Sequence, residues 1–299
     1  PTRDNCGKCH FDGGGGNGVK HSDLDESLYF PSGNLDVHMG KYNLQCTDCH
    51  RTTEHQIKGR LLADNYKIAP QEQVACTDCH APDLHADERI NLHVASVACQ
   101  TCHIPATSIK DPTKVYWDWS TAGQDLPEDH YTYLKIKGSF IYEKNYEPTY
   151  AWFNGSMSYR YLLGDPITPT QVTVLNPPAG DIKDRSAKIF PFKIHTANQP
   201  YDTKHNYLLQ PVTAGEGGFW SAFDWNAAFQ LSEQYTGMDY SGSYGFAKTE
   251  MYWPTTHMVQ PKENTLQCDN CHSPKGRLDW AALGYPGDPM EWGGRFAKR

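Results

Sequence analysis

The chain has 299 residues, a formal net charge of −8, 38% hydrophobic residues and a mean hydropathy of −0.68. It contains no apolar run of the about 18 residues that a membrane-spanning helix needs, and its acidic balance argues against nucleic acid as a partner. The apolar fraction is lean for a core made of side chains alone at this length.

In chain order the first recognisable feature is Cys6-Gly-Lys-Cys9-His10, and the pattern returns as Cys46-Thr-Asp-Cys49-His50, Cys76-Thr-Asp-Cys79-His80, Cys99-Gln-Thr-Cys102-His103 and Cys268-Asp-Asn-Cys271-His272. All 10 cysteines are used. Cys-x-x-Cys-His is the attachment signature of c-type haem: the two thiols reach both vinyl groups of one porphyrin, and the histidine is held under the iron as its proximal ligand. A zinc reading could combine four of the pairs into all-thiolate sites, but it strands the fifth and leaves the histidines unexplained. A redox-disulfide reading would need five such motifs in one chain. Five copies imply five covalently bound haem c groups, with His10, His50, His80, His103 and His272 as proximal iron ligands. Their porphyrins would supply much of the missing core. With two propionates each they would add roughly −5 to the charge when oxidised and about −10 when reduced.

The first cysteines fall at positions 6, 46, 76, 99 and 268, so four haems crowd into the first 103 residues and the fifth follows a long motif-free stretch. The crowded haems are expected to lie nearly in contact. Gly13-Gly14-Gly15-Gly16-Asn17-Gly18 formally fits Gly-x-Gly-x-x-Gly, but no strand precedes it and no Lys-Ser or Lys-Thr follows, so it is read as backbone approaching a porphyrin or as a loop, and not as a nucleotide site. In the motif-free stretch, Asn154-Gly155 between Tyr150/Trp152 and Met157/Tyr159/Tyr161 predicts a β-hairpin with a type I′ turn. Asp224 predicts a helix cap ahead of Trp225, Ala228 and Phe229, with Gly237 as the stop. The proline-rich stretches Pro166–Pro178 and Pro191–Pro211 predict extended, irregular wrapping.

Low-spin haem iron needs a sixth ligand, normally histidine or methionine. Of 14 histidines, nine lie outside the motifs. His38, His93 and His257 precede the next motif's first cysteine by 8, 6 and 11 residues, while His21, His55 and His85 follow a motif histidine by 11, 5 and 5. A short tether lowers the closure cost of reaching a neighbouring iron, so these six are the distal candidates. His130, His195 and His205 sit in the motif-free stretch and are read as ordinary structural histidines. Met39 and Met258 each follow a candidate histidine and are read as packing residues. Six candidates for five irons leave one over.

The segments from Cys9 to Asp25, Leu35-Asp-Val-His-Met39, Val97-Ala-Cys-Gln-Thr-Cys-His-Ile-Pro105, Tyr116-Trp-Asp-Trp-Ser-Thr-Ala-Gly123, Thr249-Glu-Met-Tyr-Trp-Pro254 and the stretch from Gly276 to Met290 resemble the octahaem tetrathionate reductase family of multihaem cytochromes. The resemblance runs nearly the full length. It implies three further haems ahead of this segment, among them the substrate-binding haem with its lysine ligand. Lys20 and Lys41 lie near motifs, but nothing marks either as an iron ligand, and no catalytic residue is carried over.

The expected fold class is therefore a multihaem cytochrome c, haem-cored and mostly irregular, with short α-helices and a minor β-hairpin element. Residues 1–107 are expected to form a four-haem module, 108–256 a motif-free aromatic wrapping segment and 257–299 a fifth-haem segment, together one compact unit. The expected function is electron conduction along closely packed bis-histidine haems by an exported pentahaem cytochrome, with the surplus histidine offering a route to self-assembly into a chain or filament. The rival is the electron-relay part of a reductase for tetrathionate, nitrite or hydroxylamine. Haem c attachment outside the cytoplasm places the mature protein in the periplasm, at the cell surface or beyond it, after loss of an export signal. Redox partner proteins or extracellular electron acceptors are the expected partners.

Overall fold

Each cysteine motif folds as about one helical turn, which brings its histidine back over its first cysteine: the histidine amide donates to that cysteine's carbonyl at 2.8 Å in His50, 2.9 Å in His80 and 2.8 Å in His272. The computed structural model describes residues 1–12, 17–19, 23–53, 56–59 and 73–296. Its helices are α1 (Arg3–His10), α2 (Cys46–Cys49), α3 (Glu88–His93), α4 (Cys99–His103), α5 (Phe219–Ala222), α6 (Trp225–Thr236), α7 (Cys268–Cys271) and α8 (Pro289–Trp292), and the third motif makes a 3₁₀ turn at Cys76–Asp78. Short helices suit a chain whose regular segments are interrupted by prolines and glycines.

The strands are β1 (Thr52–Thr53), β2 (Gln56–Ile57), β3 (Thr113–Asp118), β4 (Tyr133–Leu134), β5 (Gly138–Glu143), β6 (Thr149–Phe153), β7 (Thr173–Val174), β8 (Lys188–Asp202) and β9 (Tyr244–Pro254). β1 and β2 pair alone; the others form a seven-stranded mixed sheet ordered β4-β5-β3-β8-β9-β7, with β6 also on β8. The long strand β8 is its axis. One edge pairs antiparallel with β9 from Phe192↔Pro254 to Asp202↔Tyr244; the other takes β6 along its first residues and β3, in parallel, along Thr196–Asn198.

This sheet corrects the expectation of a minor hairpin. β6 turns at Asn154-Gly155 but pairs with β8, and the chain beyond the turn bonds to residues 175–179 instead. Only Gly155 takes a positive φ there, +90°, whereas a type I′ turn needs two; Asn154 uses its side-chain oxygen to accept from the amide of Ser156 at 3.2 Å. The stretch from Pro191 is likewise no irregular wrap up to Asp202, because Pro191 and Pro200 both lie within β8. Their carbonyls still accept, from Thr255 N at 3.0 Å and Leu209 N at 2.9 Å, so the strand loses donors at two points only.

The predicted helix is present as α6. Asp224 accepts from Ala227 N at 3.2 Å, Gly237 closes it at φ +68°, and Trp225, Ala228 and Phe229 are buried. Phe219 of α5 stacks on Trp225 with centroids 3.7 Å apart. Further clusters gather Trp152, Ile189, Leu283 and Tyr285 on one side of the sheet and Phe153, Phe190 and Phe192 in another group.

Candidate haem-iron centres

The motif turns are built by their own variable residues. Asp48 accepts from the amide of Gln45 at 2.7 Å, Asp78 from Ala75 at 3.2 Å and Asn270 from Gln267 at 2.8 Å, so the residue before the second cysteine caps the turn from inside. The fourth motif is docked on the sheet instead. Buried Thr101 donates to Ile189 O at 2.7 Å, and Ala98 N donates to the same carbonyl at 3.0 Å. After β9 the chain passes between motifs: Gln260 N donates to His103 O at 2.8 Å and Leu266 N to Cys102 O at 3.1 Å.

Four motif histidines face a distal candidate. Ring centroids lie 6.0 Å apart for His80 and His38, and 6.1 Å apart for His50 and His257, for His103 and His85, and for His272 and His93. A metal–imidazole bond of about 2 Å on each side, plus about 1 Å from nitrogen to ring centre, puts two axial imidazoles of one metal ion about 6 Å apart. The residues present therefore fit iron held between two histidines. His10 faces no other histidine among the described residues, and the candidates His21 and His55, with Lys20 and Gly13–Gly16, lie outside them.

Each of these four candidates meets a motif other than its nearest in sequence. A histidine a few residues from a motif is held on that motif's side of the porphyrin, so it reaches the far face of a neighbouring haem more readily than that of its own. The segment from His85 to His93 thus serves two motifs, and His257 is brought by the end of β9 to the second.

Several of these imidazoles are oriented through Nδ1. His50 meets Lys58 O at 2.8 Å, His93 meets Arg89 O at 2.6 Å, and His85 meets Asn91 Oδ1 at 3.2 Å while Asn91 Nδ2 donates back to His85 O at 2.9 Å. Two histidines meet carboxylates: His257 with Asp23 Oδ2 at 3.3 Å and His272 with Asp288 Oδ1 at 2.6 Å. Asp23 is buried, which alone would raise its pKa, but His257 and the amides of Thr256 and His257 hold it well below the ordinary carboxylate range. Burial lowers the His50 and His103 pKa values. With Nδ1 engaged, Nε2 of each ring is the nitrogen left for a metal.

The ten cysteines are free of disulfides and none is fully buried, half of them being partly buried and half exposed. Their thiols place consecutive motifs side by side. Burial and then the neighbouring Cys6 thiol push Cys46 up to about 11; Cys49 is raised by burial and by Cys79; Cys76 is raised by the Cys99 thiol beside it and by burial; and burial with Cys271 pushes Cys102 up to about 12. The five motifs therefore neighbour one another in sequence order.

His130 packs on Tyr131 and His205 stacks on Tyr207, each away from the motifs' imidazoles, and His195 lies within β8. Met258 is buried with Phe11, Leu28 and Leu35, and Met39 packs on that cluster. Lys41 lies over its neighbour Tyr42. Sequence reasoning missed Asp23, Asn91 and Asp288, since nothing in the motif points to them.

Comparison with known proteins agrees with this geometry. The family model described as bacterial cytochrome c matches residues 114–275, and that for cytochrome c7 and related cytochrome c matches residues 32–104. No curated protein matches. Among solved structures, the octaheme cytochrome c from Shewanella oneidensis is 48% identical, covering 97% of this chain and 68% of that one, with a TM-score of 0.89. At that identity and coverage the chain belongs to the octahaem cytochrome c family, and it is a multihaem c-type cytochrome that holds haem c covalently.

Proposed function

We propose that the chain carries five haem c groups and conducts electrons along them in motif order. The ten motif cysteines would form the thioethers, and His10, His50, His80, His103 and His272 would hold the irons from one side. The observation that carries the reading is the set of four histidine pairs at iron-spanning distance on motifs that neighbour one another. Haem supplies the one-electron ferric–ferrous couple, and the protein fixes axial ligands, dielectric and spacing. Between positions 73 and 97 no residue is buried by protein, yet this stretch presents three of the paired imidazoles, as expected where porphyrins take the place of a side-chain core.

His21 and His55 are the candidates for the iron above His10. Whichever is left over is available to a haem of another copy, which is how a filament would form. Maturation outside the cytoplasm would place the protein in the periplasm, at the cell surface or beyond, and among the described residues no helix is long and apolar enough to cross a membrane. Its acidic surface suits basic redox partners or external acceptors.

The test is the haem count per chain from pyridine haemochrome absorbance and intact mass, with electron paramagnetic resonance of the oxidised protein. Five haems, all low-spin and unmoved by cyanide or nitrite, are expected. Fewer haems would sink the count. A high-spin iron that binds nitrite would favour the second reading, the relay part of a reductase for tetrathionate, nitrite or hydroxylamine, which the likeness to an octaheme protein longer than this chain supports.

A further inference from the structure

The four histidine pairs differ in what lies behind them. Behind His272, Asp288 Oδ1 accepts from Nδ1 at 2.6 Å, and behind His257, Asp23 Oδ2 stands 3.3 Å from Nδ1, with the Thr256 hydroxyl, which donates to the same oxygen at 3.2 Å, lying 3.1 Å from Nδ1. Behind His85 stands the neutral amide of Asn91. Among the described residues, no carboxylate lies within hydrogen-bonding or ion-pairing distance of His38, His80, His85 or His103. In motif order the carboxylates therefore stand at the second and fifth positions, and the third and fourth have none.

A carboxylate accepting from the Nδ1 proton makes an imidazole a stronger donor to its metal and adds negative charge beside it; both effects favour ferric over ferrous iron. We infer that Asp23 and Asp288 are positioning residues that hold the haems attached at Cys46/Cys49 and Cys268/Cys271 at lower potential than the haems between them, at Cys76/Cys79 and Cys99/Cys102. Electrons entering this part of the row then settle first on the inner pair, and the flanking haems act as steps up to either end. Each step is one electron moving from a ferrous to a ferric iron, with the Nδ1 proton staying on its ring. The inference rests on the ligand assignment proposed above.

The pairs can be told apart by spectroscopy. Nearly parallel axial rings split the iron d orbitals and give a rhombic low-spin signal, whereas steeply crossed rings leave two orbitals close in energy and give a strongly anisotropic one. His50/His257 and His103/His85 cross at 25° and 33°, His80/His38 and His272/His93 at 64° and 73°. Each carboxylate thus belongs to a different spectral class.

The experiment is a potentiometric titration of the full-length holoprotein and of its Asp288→Asn and Asp23→Asn variants, reduced with dithionite and followed by electron paramagnetic resonance. Asparagine keeps the hydrogen-bond acceptor and removes the charge; at position 288 it also keeps the cap on α8, where Met290 N donates to Oδ1 at 2.9 Å. Asp288→Asn is expected to shift one member of the strongly anisotropic class tenfold towards the ferrous form, about 59 mV for one electron. Asp23→Asn is expected to do the same to one member of the rhombic class. Unchanged midpoints in variants with full haem content and wild-type low-spin signals overturn the inference. High-spin iron or a low haem count in the wild type overturns the ligand assignment instead. If buried Asp23 proves essential for folding, Asp288→Asn decides alone, since its side chain is part-exposed and its cap is preserved.

Discussion

Lys193 is fully buried within β8, where Nζ donates to Val19 O and Thr113 Oγ1, both at 2.6 Å. Burial drives its pKa well below the ordinary 10.5, against a smaller opposing pull from Asp23. Above its depressed native value the folded chain holds a neutral amine, while the unfolded chain keeps the proton up to about 10.5. The unfolded state therefore binds more protons across that window, and stability rises with pH until it levels off near the upper limit. Lys193→Met should flatten this slope in denaturant midpoints measured from neutral to alkaline pH, although it also costs about 1–3 kcal/mol by leaving Val19 O and Thr113 without their donor. An undiminished slope in the variant would refute the account. Residue-level chemistry was legible where the chain spells it out: the motifs named ten thiols and five imidazoles, and of the six histidines chosen by tether length His38, His85, His93 and His257 stand opposite motif histidines, while His21 and His55 lie outside the described residues. Which motif histidine each one faces was not legible, because closure entropy rewards nearness in sequence and ignores which side of a neighbouring motif a tether can reach. Asp23 was hidden for a plainer reason, since it lies 234 residues from the histidine it supports.

Among the elements, α6 could be read from its cap, its apolar spacing and its glycine stop. β8 could not. Its burial pattern is nearly continuous from Ile189 to Lys193, without the alternation that marks a half-buried strand, and prolines punctuate it. Under the proposed ligand set the element most dependent on cofactor would be α3, six residues with none buried, too short to persist unaided. Its hold on the molecule would come from the irons over His85, just before it, and His93, at its end. A His85→Ala/His93→Ala double variant should therefore open this segment, and trypsin should cut after exposed Arg89 much faster than in the wild type while the β8–β9 region resists. Equal cleavage rates in the two proteins would show that protein contacts alone hold α3.

Over the whole molecule, local charge pairs matter less than the sum. Lys135–Asp125 and Arg89–Asp87 are exposed pairs worth little to stability. The net charge of −8, which the five proposed haems would bring to roughly −13 to −18 through their propionates, sets the field that an approaching redox partner meets. In the proposed row of haems, electrons would leave only where a haem edge comes near the surface, so the potential around those edges would control encounter. A cationic cobalt(III) complex should oxidise the reduced protein fastest at low salt and slow steeply as the Debye length falls from about 10 Å toward about 3 Å. Anionic hexacyanoferrate(III) should show the opposite trend. Stopped-flow rates for both oxidants over one ionic-strength series separate net charge from local charge: if the cationic reagent speeds up with salt, the exit haem lies under a positive patch despite the acidic whole, and its natural acceptor would carry negative charge.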